Sequence, residues 1–247
     1  IILSILFFIT AILYSSVGFG GGSTYLALLL IWDIPYYIFP IIALLSNIIV
    51  VSGNSYNYIR AGNHNIKLLI PFLIGSIPFA FFGGTLKIDK EIFEVLLFLV
   101  LSIAGILLLI NNKSFDDNNI VIRKLNFFVS LIIGSFLGLI SGIVGIGGGI
   151  FLSPILFLLK AEKPRIIATT ASLFILINSI SGAFGQMTKE NVLNELSLYW
   201  LLFLSVFIGG RIGNHLNLKF LSNRALTIMT SILVIFVSIR IGIRIFV

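Results

Sequence analysis

The fold class this sequence predicts is an all-α membrane protein, a polytopic helical bundle of two inverted repeats. Three observations predict it. Hydrophobic residues make up 58% of the 247-residue chain and charged residues 10%, against roughly 25% charged in a soluble domain. That is too little charge to cover a water-facing surface. Apolar stretches long enough to cross a bilayer recur, with cores at 5–13, 68–82, 93–110, 127–140 and 228–239, and one signal peptide cannot account for so many. Finally, two glycine clusters, Gly18-Phe19-Gly20-Gly21-Gly22 and Gly145-Ile146-Gly147-Gly148-Gly149, stand at matching places in two similar halves.

The halves are residues 1–112 and 113–247, together one integral membrane domain. Pro35 corresponds to Pro164, Ser52-Gly53 to Ser181-Gly182 and Gly83 to Gly213, the offset drifting only from 127 to 130. Each half opens with a long apolar arm (1–17 and 124–144), followed by the glycine turn and a short helix (24–32 and 150–160). Such a helix is roughly 15 Å long, about half of a ~30 Å hydrocarbon core. Three full spans complete each half: 35–58, 66–86 and 91–110 in the first, then 164–186, 196–216 and 223–245 in the second. Trp32, Tyr36, Tyr37, Tyr199 and Trp200 fall near span ends, as an interfacial aromatic belt would place them. Because residue 1 is Ile rather than Met, the natural start is expected upstream.

Loop charges choose between two arrangements of arm and short helix. If they form a re-entrant hairpin, each half crosses the membrane an odd number of times and the halves are inverted. Arg60, Lys67, Lys113, Arg123, Lys124, Lys160, Lys163, Arg165, Lys219 and Arg224 then share one side, leaving Lys87, Lys90, Lys189, Arg240 and Arg244 on the other. If they form one broken crossing, the charges divide almost evenly. The positive-inside rule favours the hairpin, with the richer side cytoplasmic and both chain ends outside. The net charge of +7 is thereby explained by the bilayer. No basic stripe carries interleaved aromatics, so no nucleic-acid partner is expected. The chain has no cysteine, which removes disulfides, thiolate chemistry and Cys-held metals. No cofactor or metal is expected.

The glycine turns are the main functional signal. Irregular backbone survives at membrane depth only where protein buries it or a wet cavity receives it. Triple glycine allows positive φ and close approach. A helix beginning just after it presents unpaired N–H groups and a partial positive charge, which suits an anion. Inversion brings the two starts together near the midplane, as in transporters with broken helices. The competing reading is that the glycines only allow tight helix packing. The candidate binding residues are Gly20, Gly21, Gly22, Ser23 and Thr24 in the first half, and Gly147, Gly148, Gly149 and Ile150 in the second. Asn47, Thr170, Ser172 and Asn178 are candidates to line the path. Many such hydroxyls only bond a carbonyl one turn back. Arg211 has two readings: it snorkels to the cytoplasmic interface, or it faces the cavity and attracts anions. No Asp or Glu lies mid-span, which argues against a carboxylate proton relay.

At these residues the sequence resembles the TauE/SafE family of sulfite exporters and related anion permeases. The carriers are GFGGGS from Gly18, GIVGIGGG from Gly142, the run Ala168-Thr169-Thr170-Ala171-Ser172, Asn178-Ser179 and Ser181-Gly182-Ala183. The likeness spans nearly the whole chain. The first half departs from it, with Ala43-Leu44-Leu45-Ser46 where the second half is rich in Ser and Thr. The resemblance implies inverted repeats and transport of sulfite, organosulfonates, related sulfur oxyanions or organic anions. The expected setting is the bacterial inner membrane, and the expected partners are a small anionic substrate and the lipid bilayer, with a homodimer left open. The alternative is a passive channel for an ion, water or small solute. An enzyme is not expected. Ser23 has no partner of foreseeable placement, its counterpart is Ile150, and no Lys precedes Ser23-Thr24 as a phosphate loop requires.

Overall fold

The computed structural model describes residues 1–32, 34–110, 122–190, 192–216, 231–232, 235–236, 238–239 and 241–243, and the regular elements among them are all helical. The first half contributes α1 (Ile2–Val17), α2 (Gly22–Ile31), α3 (Phe39–Arg60, led in by a 3-10 turn at Tyr36–Ile38), α4 (Ile66–Thr85) and α5 (Lys90–Ile110). The second contributes α6 (Phe127–Val144), α7 (Gly149–Leu158), α8 (Pro164–Gln186), α9 (Val192–Leu196) and, after a 3-10 turn at Ser197–Tyr199, α10 (Trp200–Leu216). Four of the described helices are long and apolar enough to cross a membrane: Tyr36–Arg60, Ile66–Thr85, Phe127–Val144 and Arg165–Gln186. The boundary at 112/113, most of the expected span 223–245, and Lys113, Lys219, Arg224, Arg240 and Arg244 lie outside the described residues.

Local chemistry sets the ends. Asn65 caps α4 by accepting from the Leu68 N–H at 3.2 Å, and Asn126 caps α6 by accepting from Phe128 N–H at 2.9 Å. The Asn126 cap explains why α6 starts at Phe127 rather than at the expected residue 124. Pro164 opens α8 and Pro40 sits in the first turn of α3, where a missing N–H costs nothing. The short helices begin at Gly22 and Gly149, slightly earlier than expected, because the glycines themselves take helical and capping positions. The expected span 196–216 is divided, α9 and the 3-10 turn forming a bend before α10. The Tyr37 hydroxyl donates to Glu195 in that bend.

Glycine stripes set which helices meet. On α6, Gly134 lies against Phe72 of α4, Gly138 against Ser76 and Gly142 against Ala80. Both numbers rise together, so α4 and α6 run parallel. A Cβ on Gly138 would stand 2.6 Å from the Ser76 Cα, so the backbones approach as only small residues allow. On α10, Gly209 lies against Phe8 of α1 and Gly213 against Ile12, again parallel. Ser181 of α8 donates to Ile77 O of α4 at 2.7 Å, and Gly185 packs on Phe81, so α8 joins α4 and α6. Val50 meets Gly210 and Gly53 meets Asn214, so α3 joins α1 and α10. Between the two groups, Ser55 of α3 bonds Ser172 of α8 at 3.2 Å while Leu44 touches Gly182. One number rises as the other falls, so the corresponding helices α3 and α8 cross antiparallel. Each arm thus packs mainly on the other half: α1 on α10, and α6 on α4.

The two ends of the bundle differ in charge. The Arg123 N–H donates to Lys160 O at 3.0 Å, and Asn65 Nδ2 donates to Glu162 Oε2 at 3.0 Å. These bonds gather the loop before α4, the lead-in to α6 and the loop after α7, and with them Arg60, Lys67, Arg123, Lys124, Lys160, Lys163 and Arg165. They also close the α6–α7 hairpin on itself. At the opposite end Lys87, Lys90 and Lys189 follow α4 and α8. Between the ends the outer surface is apolar. Ile66, Ile70, Ile74, Ile77 and Phe81 are exposed along one face of α4, and Ile92, Val95, Leu99, Ile103 and Ile106 along α5. A helix face that is apolar and outward suits lipid rather than water.

Candidate functional site

Six glycines with positive φ are described, and five of them make the two turns. Gly18 (φ 84°) ends α1, with the Phe19 N–H returning to Tyr14 O at 3.0 Å. Gly21 (φ 85°) begins α2, its carbonyl accepting from Thr24 and Tyr25 N–H at 3.0 Å each. The second turn repeats this. Gly145 (φ 92°) ends α6, Gly147 (φ 81°) continues the reversal, and Gly148 (φ 74°) begins α7 by accepting from Phe151 and Leu152 at 3.1 and 3.2 Å. Left-handed backbone at these points strains any residue with a Cβ. Neither helix start carries a side-chain cap. The N–H groups of Gly22 and Ser23, and of Gly149 and Ile150, precede the first intrahelical bond and have no acceptor within their own helix.

The turns touch. A Cβ on Gly22 would lie 3.0 Å from Ile146 O and 2.8 Å from Asn47 Nδ2. Asn47, fully buried on α3, joins them by donating from Nδ2 to Ile146 O at 3.1 Å. Ile146 O can accept from the amide's NH2 end but not from its oxygen, so this bond turns the Asn47 Oδ1 against Gly20, where it has no hydrogen-bond partner. Gly147 faces the same amide and the Ser179 Oγ, each about 3 Å from where its Cβ would be.

Between the turns lies a cavity of about 10 Å³ lined by Tyr14, Phe19, Gly20, Gly21, Gly22, Ser23, Ile146, Ile150 and Ile175. Both helix starts therefore reach one chamber, the first through Ser23 and the second through Ile150. The Ser23 Oγ is buried there, near the Tyr14 phenol but without a hydrogen bond of normal geometry. The chamber holds about one water. An oxyanion with three or four oxygens needs several times that volume.

The other expected residues are placed elsewhere. Thr24 Oγ1 bonds the Tyr14 hydroxyl at 2.6 Å. Thr170 donates to Ile166 O one turn back at 2.8 Å, and Ser172 faces Ser55 across the α3–α8 crossing. Asn178 donates from Nδ2 to Phe174 O at 2.9 Å, leaving a buried, unpartnered Oδ1. Gly147, Gly148 and Gly149 shape the second turn without lining the chamber. Arg211 is exposed, its guanidinium 5.2 Å over the Phe207 ring, in an open groove of about 520 Å³ with Asn57, Ile212, Asn214 and His215. It does not line the chamber between the turns. Tyr14, Phe19, Ile146 and Ile175 are lining residues that were not foreseen.

A helical bundle with four described helices long and apolar enough to cross a bilayer is the build of a multi-pass membrane protein. The chain belongs to the TauE/SafE family: the family profile described as "Sulfite exporter TauE/SafE" matches residues 3–241. A probable membrane transporter protein of Sinorhizobium fredii is 27% identical over 232 residues, covering 94% of this chain and 93% of its own. One from Methanocaldococcus jannaschii is 29% identical, covering 93% and 90%. One from Bacillus subtilis is 23% identical, covering 95% and 94%. No solved structure matches the chain.

Proposed function

We propose that this transporter is a secondary permease for a small anion of the sulfite, organosulfonate or related sulfur-oxyanion class. The observation that carries this reading is the convergence of two uncapped, glycine-initiated helix starts on one buried chamber. Unpaired N–H groups and the positive ends of two helices are aimed where a negative group is otherwise costly to bury. Membership in a family described as sulfite exporters supports the substrate class.

The mechanism follows from the helix directions. The antiparallel crossing of α3 and α8, and the matching exchange of arms, support halves inverted about an axis in the membrane plane. The Arg123–Lys160 bond supports a re-entrant α6–α7 hairpin. In this reading the Lys- and Arg-rich end faces the cytoplasm of a bacterial inner membrane. The anion displaces Ile150 and Ile175, the turns grip it with backbone N–H groups, and rocking of one helix group against the other opens the chamber to alternate sides.

Flux of radiolabelled sulfite into proteoliposomes tests the proposal. Uptake should saturate. A passive channel would instead conduct in proportion to concentration. Gly148→Val forces a Cβ into φ 74° and within 2.8 Å of Phe174 Cε1. It should lower the flux roughly tenfold or more, as should Gly21→Val, in protein that remains monodisperse. Folded variants with unchanged flux would reject this site.

A further inference from the structure

Resting on the permease reading, we propose that the chamber selects anions carrying a single negative charge, so that a dibasic oxyanion is taken only in its hydrogen-bearing, singly charged form. Two observations beyond the helix starts lead there. Among the described residues no Lys, Arg or His lines the chamber; the side chains there are Tyr14, Phe19, Ser23, Ile146, Ile150 and Ile175. Among the described groups the positive potential comes from the two helix N-termini, each equivalent to roughly half an elementary charge, and together these balance one negative charge. A second negative charge would enter a desolvated site with no counter-ion, which is strongly unfavourable.

The unpartnered side-chain oxygens point the same way. Ser23 Oγ is buried in the lining, and Asn47 Oδ1 is buried against Gly20 on the wall of the same turn. Ser23 supplies an acceptor for a guest that still bears a proton. The Asn47 carbonyl dipole, held by the bond from Nδ2 to Ile146 O, turns its negative end toward that wall and disfavours further negative charge. The described titratable groups around the turns are phenols: Tyr14 in the lining, Tyr25 against Gly21 and Tyr58 against Gly18. None is a cation that would offset a dianion.

Calorimetric titration of the purified, detergent-solubilised protein tests this with three probes over a pH series. Sulfite passes from singly to doubly charged across its second ionisation, methanesulfonate stays singly charged, and sulfate stays doubly charged. Apparent sulfite affinity should fall about tenfold per pH unit above that ionisation, as the competent fraction of the ligand shrinks. Methanesulfonate affinity should stay flat, and sulfate should bind at least roughly a hundredfold more weakly than hydrogensulfite. Methanesulfonate also reports any titration of the protein itself, so the difference between the two curves is the readout. A sulfite curve parallel to that of methanesulfonate, or sulfate binding as tightly as hydrogensulfite, overturns charge selection while leaving the anion site standing. Absence of binding by all three overturns the anion site as well.

Discussion

Residues explain the site through what they lack. Gly21 and Gly148 hold backbone conformations that cost a residue with a Cβ about 1–2 kcal/mol, so Gly21→Ala and Gly148→Ala should each lower the melting temperature measurably by differential scanning fluorimetry. Asn47→Leu leaves Ile146 O unpaired in the interior and should cost about 1–3 kcal/mol, read as a lower midpoint in denaturant. Lys189 carries a separate prediction. Burial, and then the like charge of Lys87, lower its ammonium from 10.5 to about 8, while its Nζ donates to Gln186 Oε1 at 2.8 Å. Between those values the unfolded chain binds the proton and the folded one does not, so stability should rise as pH climbs from 8 to 10.5. Lys87→Met should move the start of that rise to higher pH, and Lys189→Met should remove the rise. At this scale the glycines were legible, because positive φ and close approach demand them. The lining Ile146, Ile175, Phe19 and Tyr14 were not, because an isolated apolar residue reads the same facing lipid, core or chamber. Thr170 and Ser172 look functional in a sequence, yet their hydroxyls are occupied by a carbonyl one turn back and by Ser55.

The described elements from α1 to α8 were legible to within a few residues, several of them marked by caps and prolines. The partners of each element were not. Apolar periodicity says which face a helix buries but not against what, and nothing in the spacing of α6 announces that it belongs on α4. The stripe Gly134, Gly138, Gly142 is clear afterwards, since each residue faces a backbone position of α4 four apart. Gly138→Leu should therefore force α4 and α6 apart. Overpacking of this kind costs typically 1–3 kcal/mol or more, and the variant should unfold at lower temperature than the parent protein. Gln186 ties two elements of the second half together by donating from Nε2 to Gly142 O at 2.7 Å near the end of α6. It couples the C-terminal end of α8 to the second glycine turn.

Six of the described helices form two parallel groups, α1 with α3 and α10, and α4 with α6 and α8, each drawing on both halves of the sequence. The loop charges were read from the sequence as a statement of sidedness, and Arg60, Lys67, Arg123, Lys124, Lys160, Lys163 and Arg165 share one end of the described bundle. These 247 residues contain no cysteine, so single cysteines introduced among them report sidedness cleanly. Lys87→Cys should react with a membrane-impermeant thiol reagent in intact cells, and Gly62→Cys only after permeabilisation. The reverse pattern would place the basic end outside. What no sequence pattern conveys is the size of the chamber, which depends on how far four apolar side chains from different elements lean inward.

The central claim is that a negatively charged guest sits between the two glycine-initiated helices. Anomalous scattering from crystals grown with selenite, an oxyanion bearing a strong scatterer, locates that guest directly. The selenium peak should lie between the backbone N–H groups of Ser23 and Ile150, with the Ile150 and Ile175 side chains withdrawn. A peak confined to the Arg211 groove, with the chamber still closed, would contradict the account.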